Sequence, residues 1–178
     1  MRHTTLLVAA LLAGCAQSTS SHDPAHGAAP ADAPVLVLGT FDSRALAIAY
    51  YRSAAHLAQT REAVAAHARA QAAGDAATMQ RLDAEMRALQ ALAHRQGFGG
   101  APIPELLAKI EDEIPAIARH AGVDAVVSRA DLLWLDPDAE TMDLSLALAE
   151  AFEPDEETRR MLPEVLKQKP VPLDRIED

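Results

Sequence analysis

Apolar and polar positions recur along this chain with several different periods, and each period predicts a different element. Residues 35–41, VLVLGTF, form an apolar run of strand length, and the run stops at Asp42 and Ser43, both able to cap a helix N-terminus. A strand is therefore expected to feed directly into a helix. Residues 43–73 contain no Pro or Gly, and a heptad-like row runs through Tyr50, Leu57, Val64 and Gln71, with Ala54 and Ala68 in the neighbouring stripe. The row predicts one continuous helix of about 45 Å at ~1.5 Å per residue. Gly74 then supplies a left-handed stop and Asp75 a fresh N-cap. Residues 76–96 return with Met79, Leu82, Met86, Leu89, Ala93 and Gln96 at alternating spacings of three and four, so residues 43–96 read as an antiparallel coiled-coil hairpin.

Beyond it, the glycines and prolines of residues 97–104 predict a break in helical structure. A third helix is expected over residues 104–120, with Leu106, Leu107, Ile110, Ile114 and Ile117 facing inward, a kink or interruption at Pro115 and a stop at Gly122. Residues 124–128 and 132–135 read as two short strands, and residues 143–152 as a last amphipathic helix. The acidic, Pro-containing tail of residues 153–178 has helical character over 156–168 and a loose end. The expected fold class is α+β, mainly helical: a small β body with a projecting antiparallel coiled-coil helical hairpin.

Two segments of other character precede this domain. Residues 1–14 place Arg2 before an apolar run of eight residues, too short to span a bilayer, and end in small residues ahead of Cys15, the only cysteine. This is the pattern of a secretory signal. Its last four residues, Leu12, Ala13, Gly14 and Cys15, resemble a bacterial lipobox. The resemblance implies cleavage before Cys15 and acylation of that residue, and acyl chains contributing roughly 0.8 kcal/mol per methylene anchor a protein without a membrane-spanning helix. Ala16, rather than Asp, follows the anchor; in lipoproteins of this kind that implies the periplasmic side of the outer membrane, with the inner membrane as the other destination. Residues 16–34 contain no Val, Leu, Ile or aromatic side chain and read as a flexible linker with a reach of roughly 25 Å. The organisation is thus a lipoprotein signal at 1–14, a lipid-anchored linker at 15–34, the domain at 35–152 and the tail at 153–178.

Composition sharpens this picture. Alanine supplies 39 of 178 residues and only six are aromatic, so long helices with thin cores are expected, and one hairpin of this kind buries too little to be stable alone. Sixteen basic side chains against 26 acidic ones give a formal charge of −10, which excludes a phosphate-backbone grip on nucleic acid.

Reactive constellations are missing from the pattern. The glycines around Phe98 are followed by no Lys-Ser or Lys-Thr pair and do not make a phosphate loop. Asp136, Asp138 and Glu140 alternate like the start of a calcium loop, but Thr141 stands where Gly is needed and Ala147 where Glu is needed. His22 and His26 fall in the linker, His56 and His67 are eleven residues apart, and His94 and His120 have no ligand partner at useful spacing. No catalytic residue, cofactor site or metal site is expected, and the chain reads as a non-enzyme.

The order of elements, residues 35–42, the run IARHAGVDAVVS of residues 117–128, the apolar residues 132–135, and Asp143, Leu144 and Ser145 before a terminal helix resemble the Skp-like periplasmic chaperones of the OmpH family. The resemblance covers residues 35–152. It implies a homotrimer built on shared β-structure, with hairpins surrounding a cavity that holds unfolded outer-membrane or periplasmic proteins without ATP. On that reading Leu57, Val64, Met79 and Met86 are the candidate client contacts. Family chaperones carry basic hairpin tips, whereas residues 62–86 here hold four acidic and two basic side chains. A structural or adaptor lipoprotein whose hairpin docks on a folded envelope partner is the alternative expectation.

Overall fold

The computed structural model of the protein describes residues 36–176. The chain passes through β1 (Leu38–Phe41), α1 (Ser43–Tyr51), α2 (Ala54–Ala73), α3 (Ala76–Gly99), α4 (Pro104–Leu107), α5 (Ile114–Ala121), β2 (Ala125–Ser128), β3 (Thr141–Asp143), α6 (Ser145–Ala149) and α7 (Glu156–Leu166). These residues are mainly helical and carry one small sheet, an α+β arrangement.

The sheet is parallel, with β1 between β2 and β3, and Thr40 stands opposite Val127 on one side and Asp143 on the other. Parallel neighbours need crossover connections, and α1 to α5 supply the one from β1 to β2. Main-chain bonds continue the pairing past the strand ends. Asp124 N–H donates to Val37 O at 2.9 Å, and Leu144 N–H donates to Thr40 O at 2.7 Å. Gly39 lets the central strand sit close beneath its neighbours: a Cβ there would lie 2.7 Å from Leu144 Cδ1 and 3.0 Å from Val123 Cγ2.

Asp42 ends the strand and starts the helix. Its carboxylate accepts from the Arg44 backbone N–H at 3.0 Å and from the Arg44 guanidinium at 2.6 Å, while the same guanidinium donates to Gln168 O at 2.8 Å. Helix α1 is then buried on several sides, because Ala45, Leu46, Ala47 and Ala49 have no solvent exposure and the helix touches α3, α6 and α7. Alanine on those sides keeps the neighbouring helices close. Phe41, Leu106, Ile110, Leu144, Leu148, Phe152 and Leu162 complete the core.

Five expectations from the sequence are corrected. The helix expected over residues 104–120 is two helices, α4 and α5, separated by turns at 108–113, and Pro115 stands in the first turn of α5, where its missing N–H costs nothing. The helix expected over residues 43–73 is two helices, because Ser53 is extended and its hydroxyl accepts from His56 N–H at 3.2 Å, capping α2 afresh. Arg52, just before the break, reaches α7 instead, donating to Thr158 Oγ1 at 2.9 Å and to Glu157 at 3.0 Å. Helix α3 continues through Gly97 and Gly99 and stops only at left-handed Gly100. Leu173 and Ile176 lie over Gly99 so closely that a Cβ there would collide with them, whereas a Cβ at Gly97 would meet only Ile48, at an ordinary distance.

Residues 132–135 are not a strand. Leu133 is fully exposed and Trp134 is 74% exposed, while the free side of β1 is taken by Thr141–Asp143. An apolar run has strand chemistry, but pairing depends on which segment the crossover delivers to the edge. Finally, α7 lies where helical character is expected and buries Leu162 and Thr158, but the end beyond it is not loose, because it returns to α3, where Val171 N–H donates to Phe98 O at 2.9 Å. The last carbonyls of a helix have no partner within it, and this segment supplies one.

The tight packing at Gly39 yields a direct test. Gly39→Ala should cost about 1–3 kcal/mol through overpacking, read as a lower urea midpoint with unchanged slope. An unaltered midpoint would mean that Leu144 and Val123 yield freely.

Candidate functional site

Helices α2 and α3 extend about 30 Å and 36 Å from the turn that joins them, at ~1.5 Å per residue. Gly74 is left-handed with φ of 69°, and Asp75 accepts from Thr78 N–H at 3.0 Å, so the turn is built as its two residues require. The two helices are in contact, and their half-buried or buried positions include Ala63, Ala66, His67 and Ala70 on α2 and Met79, Leu82, Met86 and Ala93 on α3. His67 Nε2 and Asp83 Oδ1 meet across the pair at 3.1 Å.

This contact splits the four candidate client residues. Leu57 and Val64 are 46% and 56% exposed, whereas Met79 and Met86 are half-covered. The expected row through residues 57, 64 and 71 therefore lies outside the covered face. Its phase was counted from Tyr50, and the break at Ser53 restarts the helix in a new direction. Leu89, expected within the seam, is 53% exposed, and Leu92 is exposed as well. Sequence reasoning missed Leu92, whose signal is an apolar residue lying off the three-and-four spacing of α3.

Below these leucines the pair opens into a cavity of about 460 Å³, lined by Tyr50, Tyr51, His56, Met86, Leu89, Leu92, Glu105 and Lys109 among others. Two of the six aromatic residues are adjacent here. The Tyr50 and Tyr51 rings lie 5.1 Å and 5.0 Å from the His56 ring, and Lys109 Nζ lies 5.4 Å from the Tyr50 ring centre. Tyr51 donates to Gln96 Oε1 at 2.6 Å, and the Gln96 amide in turn donates to Pro102 O at 2.9 Å and to Glu105. Burial first, then the Glu105 carboxylate and Tyr50, push the Tyr51 hydroxyl up to about 12. Burial, seconded by the Lys109 charge, lowers His56 below its ordinary 6.5. Its Nδ1 is buried without a hydrogen-bond partner.

This arrangement packs, and its polar atoms serve the packing. Tyr51, Gln96 and Glu105 tie α1, α3 and α4 together at the root of the α2–α3 pair. Among the described residues no three metal-capable side chains gather, and no helix is long and apolar enough to cross a membrane. Asp138 N–H donates to Asp136 Oδ1 at 2.9 Å, a local turn within the acidic segment. Cys15, the signal at 1–14, the linker histidines and the linker itself lie outside the described residues.

No family model matches this chain, and neither a curated protein nor a solved structure matches it. The surface must therefore be read on its own chemistry. It offers Leu57, Val64, Leu89 and Leu92 to solvent on two helices whose other outward positions are mostly alanine and charged or polar side chains.

Two measurements check this reading. Leu82→Asp puts a charge at a buried position and should cost roughly 2–5 kcal/mol, whereas Leu89→Asp should stay within about 1 kcal/mol of the parent; equal losses in urea melts would overturn the register. Because the folded protein holds His56 below its unfolded value, the unfolded chain binds the proton first, and His56 favours folding less as pH falls through about 6.5. His56→Gln should flatten the slope of stability against pH between about 7.5 and 5.5, and an unchanged slope would remove His56 from the root's packing.

Proposed function

We propose that this chain is a lipid-anchored holdase of the Skp-like, OmpH kind, an ATP-independent chaperone whose α2–α3 pair is the family's antiparallel coiled-coil hairpin. The observation that carries the reading is the exposure of Leu57, Val64 and Leu89 at 46–56% on two long helices that project from a compact core. Apolar side chains grouped on one pair of projecting helices form a surface that the apolar segments of an unfolded client can cover. Each contact removes apolar area worth roughly 25 cal/mol per Å², so affinity comes from many weak contacts and clients can exchange. Such binding needs no nucleotide. Lipidation at Cys15 would place the domain at the periplasmic side of the outer membrane, and the linker would hold it off the surface.

Assembly into a homotrimer has its own support. β2 and β3 are both edge strands, β3 is exposed along its whole length, and beside them Leu133, Trp134 and Leu135 lie in solvent. Open strand edges and clustered apolar side chains are what a second copy covers. The acidic character of the α2–α3 turn disfavours acidic clients and favours neutral or basic unfolded segments.

The test dilutes a urea-unfolded outer-membrane protein into increasing amounts of the chain lacking residues 1–19, while light scattering is followed. Suppression should saturate near one trimer per client, and replacing Leu57, Val64 and Leu89 together by Ser should weaken it severalfold without loss of helicity. No suppression at any ratio rejects the holdase and leaves an adaptor that docks on one folded partner.

A further inference from the structure

A second cavity, of about 430 Å³, lies between α1, the last turns of α3, α7 and the segment that follows α7. Its charge runs against that of the whole molecule. The chain carries a formal −10, yet among the described residues the ionisable groups on the cavity wall are Arg44, Arg52, Tyr51, His94 and Lys169, with no carboxylate. The remaining wall is apolar, chiefly Ile48, Phe98, Met161, Val165 and Val171. Phe98 is 54% exposed at this cavity.

The basic groups are not equivalent. Arg44 is 4% exposed and committed to Asp42 and to Gln168 O, so it forms part of the wall. Arg52 spends one nitrogen on Thr158 and another on Glu157, which leaves its third unengaged among the described residues. Lys169 is exposed and makes no ion pair among the described residues. Lys169 and the remaining nitrogen of Arg52, whose charge Glu157 already partners, are therefore offered to an occupant.

Gly97 provides an independent sign that the space is kept open. It is buried inside α3 and lines the cavity, yet a Cβ there would meet only Ile48, at an ordinary 3.5 Å. Packing does not demand glycine at this position, and glycine inside a helix costs roughly 1 kcal/mol relative to alanine. What its missing side chain leaves is floor.

We propose that this cavity binds a single-chain amphiphile with a carboxylate head, a fatty-acid-like molecule whose chain lies over Gly97 and whose head meets Arg52 and Lys169. The volume is within the roughly 300–1,000 Å³ of small-molecule sites. The remaining Arg52 nitrogen and the Lys169 ammonium each offer a carboxylate a charge-assisted hydrogen bond, and the apolar wall takes the chain. The site is separate from the α2–α3 surface and stands whether or not the holdase reading does.

The full-length chain carrying Cys15→Ser, which has no acyl group on that residue, would be titrated with an environment-sensitive fluorescent dodecanoate analogue. One saturable site is expected, with the probe displaced by dodecanoate. Decanoate, two methylenes shorter, should bind roughly tenfold more weakly, and dodecanol, lacking the charge, should bind at least about tenfold more weakly. Gly97→Leu should fill the floor and abolish binding, and Lys169→Glu, at an exposed position that leaves the fold intact, should weaken it by about tenfold. Absence of saturable binding, equal affinity for dodecanol, or undiminished binding by Lys169→Glu would overturn the proposal. Should Gly97→Leu not fold, as judged by circular dichroism, Lys169→Glu and dodecanol still decide it.

Discussion

Helix α1 is nine residues long and has almost no side that meets water, and the rest of the fold is arranged to make that possible. Its alanines let α3, α6 and α7 approach, so each neighbour buries its own apolar face against the same short rod. Burying a charged residue in such a place is costly unless it is paired and hydrogen-bonded. Arg44 meets that condition through Asp42 and Gln168 O. The pair joins the strand end, the helix start and the segment following α7 at one point. It explains why residues beyond Phe152 belong to the folded body.

The same economy leaves the α2–α3 pair poorly buried. Along α2 only Ala70 is fully covered, and along α3 only Leu82 and the root residues Gln96 and Gly97. Regions with few buried apolar contacts open at low free energy. The pair therefore depends on its root, where Tyr51, Gln96 and Glu105 connect it to the core. Exposed ion pairs such as Arg81 with Glu85 contribute only roughly 0.2–1 kcal/mol. A surface that packs loosely on itself has apolar side chains left over, and that surplus is the basis of the proposed client binding.

Charge is distributed with comparable consequence. A net −10 makes copies of a molecule with exposed leucines and an exposed tryptophan repel one another, which opposes non-specific association. Against that background, the basic wall beside Gly97 is a local reversal. At the opposite end of the chain's logic, burial would raise the Asp143 carboxyl, but hydrogen bonds from Ser145 and from Arg129 outweigh it and hold the group below the usual carboxylate range. The bridge from β3 through Asp143 to Arg129 braces the outer strand of a very small sheet.

Local chemistry determined much of this protein from its sequence. The Asp42 cap, the turn at Gly74 and Asp75, the stop at Gly122 and the strand at residues 124–128 each depend on the conformational preference or capping ability of one or two residues, which neighbours do not override. Inward-facing Leu106 and Ile110, and the return seam through Leu82, were likewise legible as periodic apolar positions. Tertiary structure alone decided the rest. The helix breaks at Ser53, beside an Arg52 that bonds α7, α3 runs through Gly99 where Leu173 and Ile176 pack against it, and Thr141–Asp143 takes the sheet edge in place of the more strand-like residues 132–135. Both cavities belong to this second class. Each is a gap between helices distant in sequence, and no local period records where such helices fail to touch.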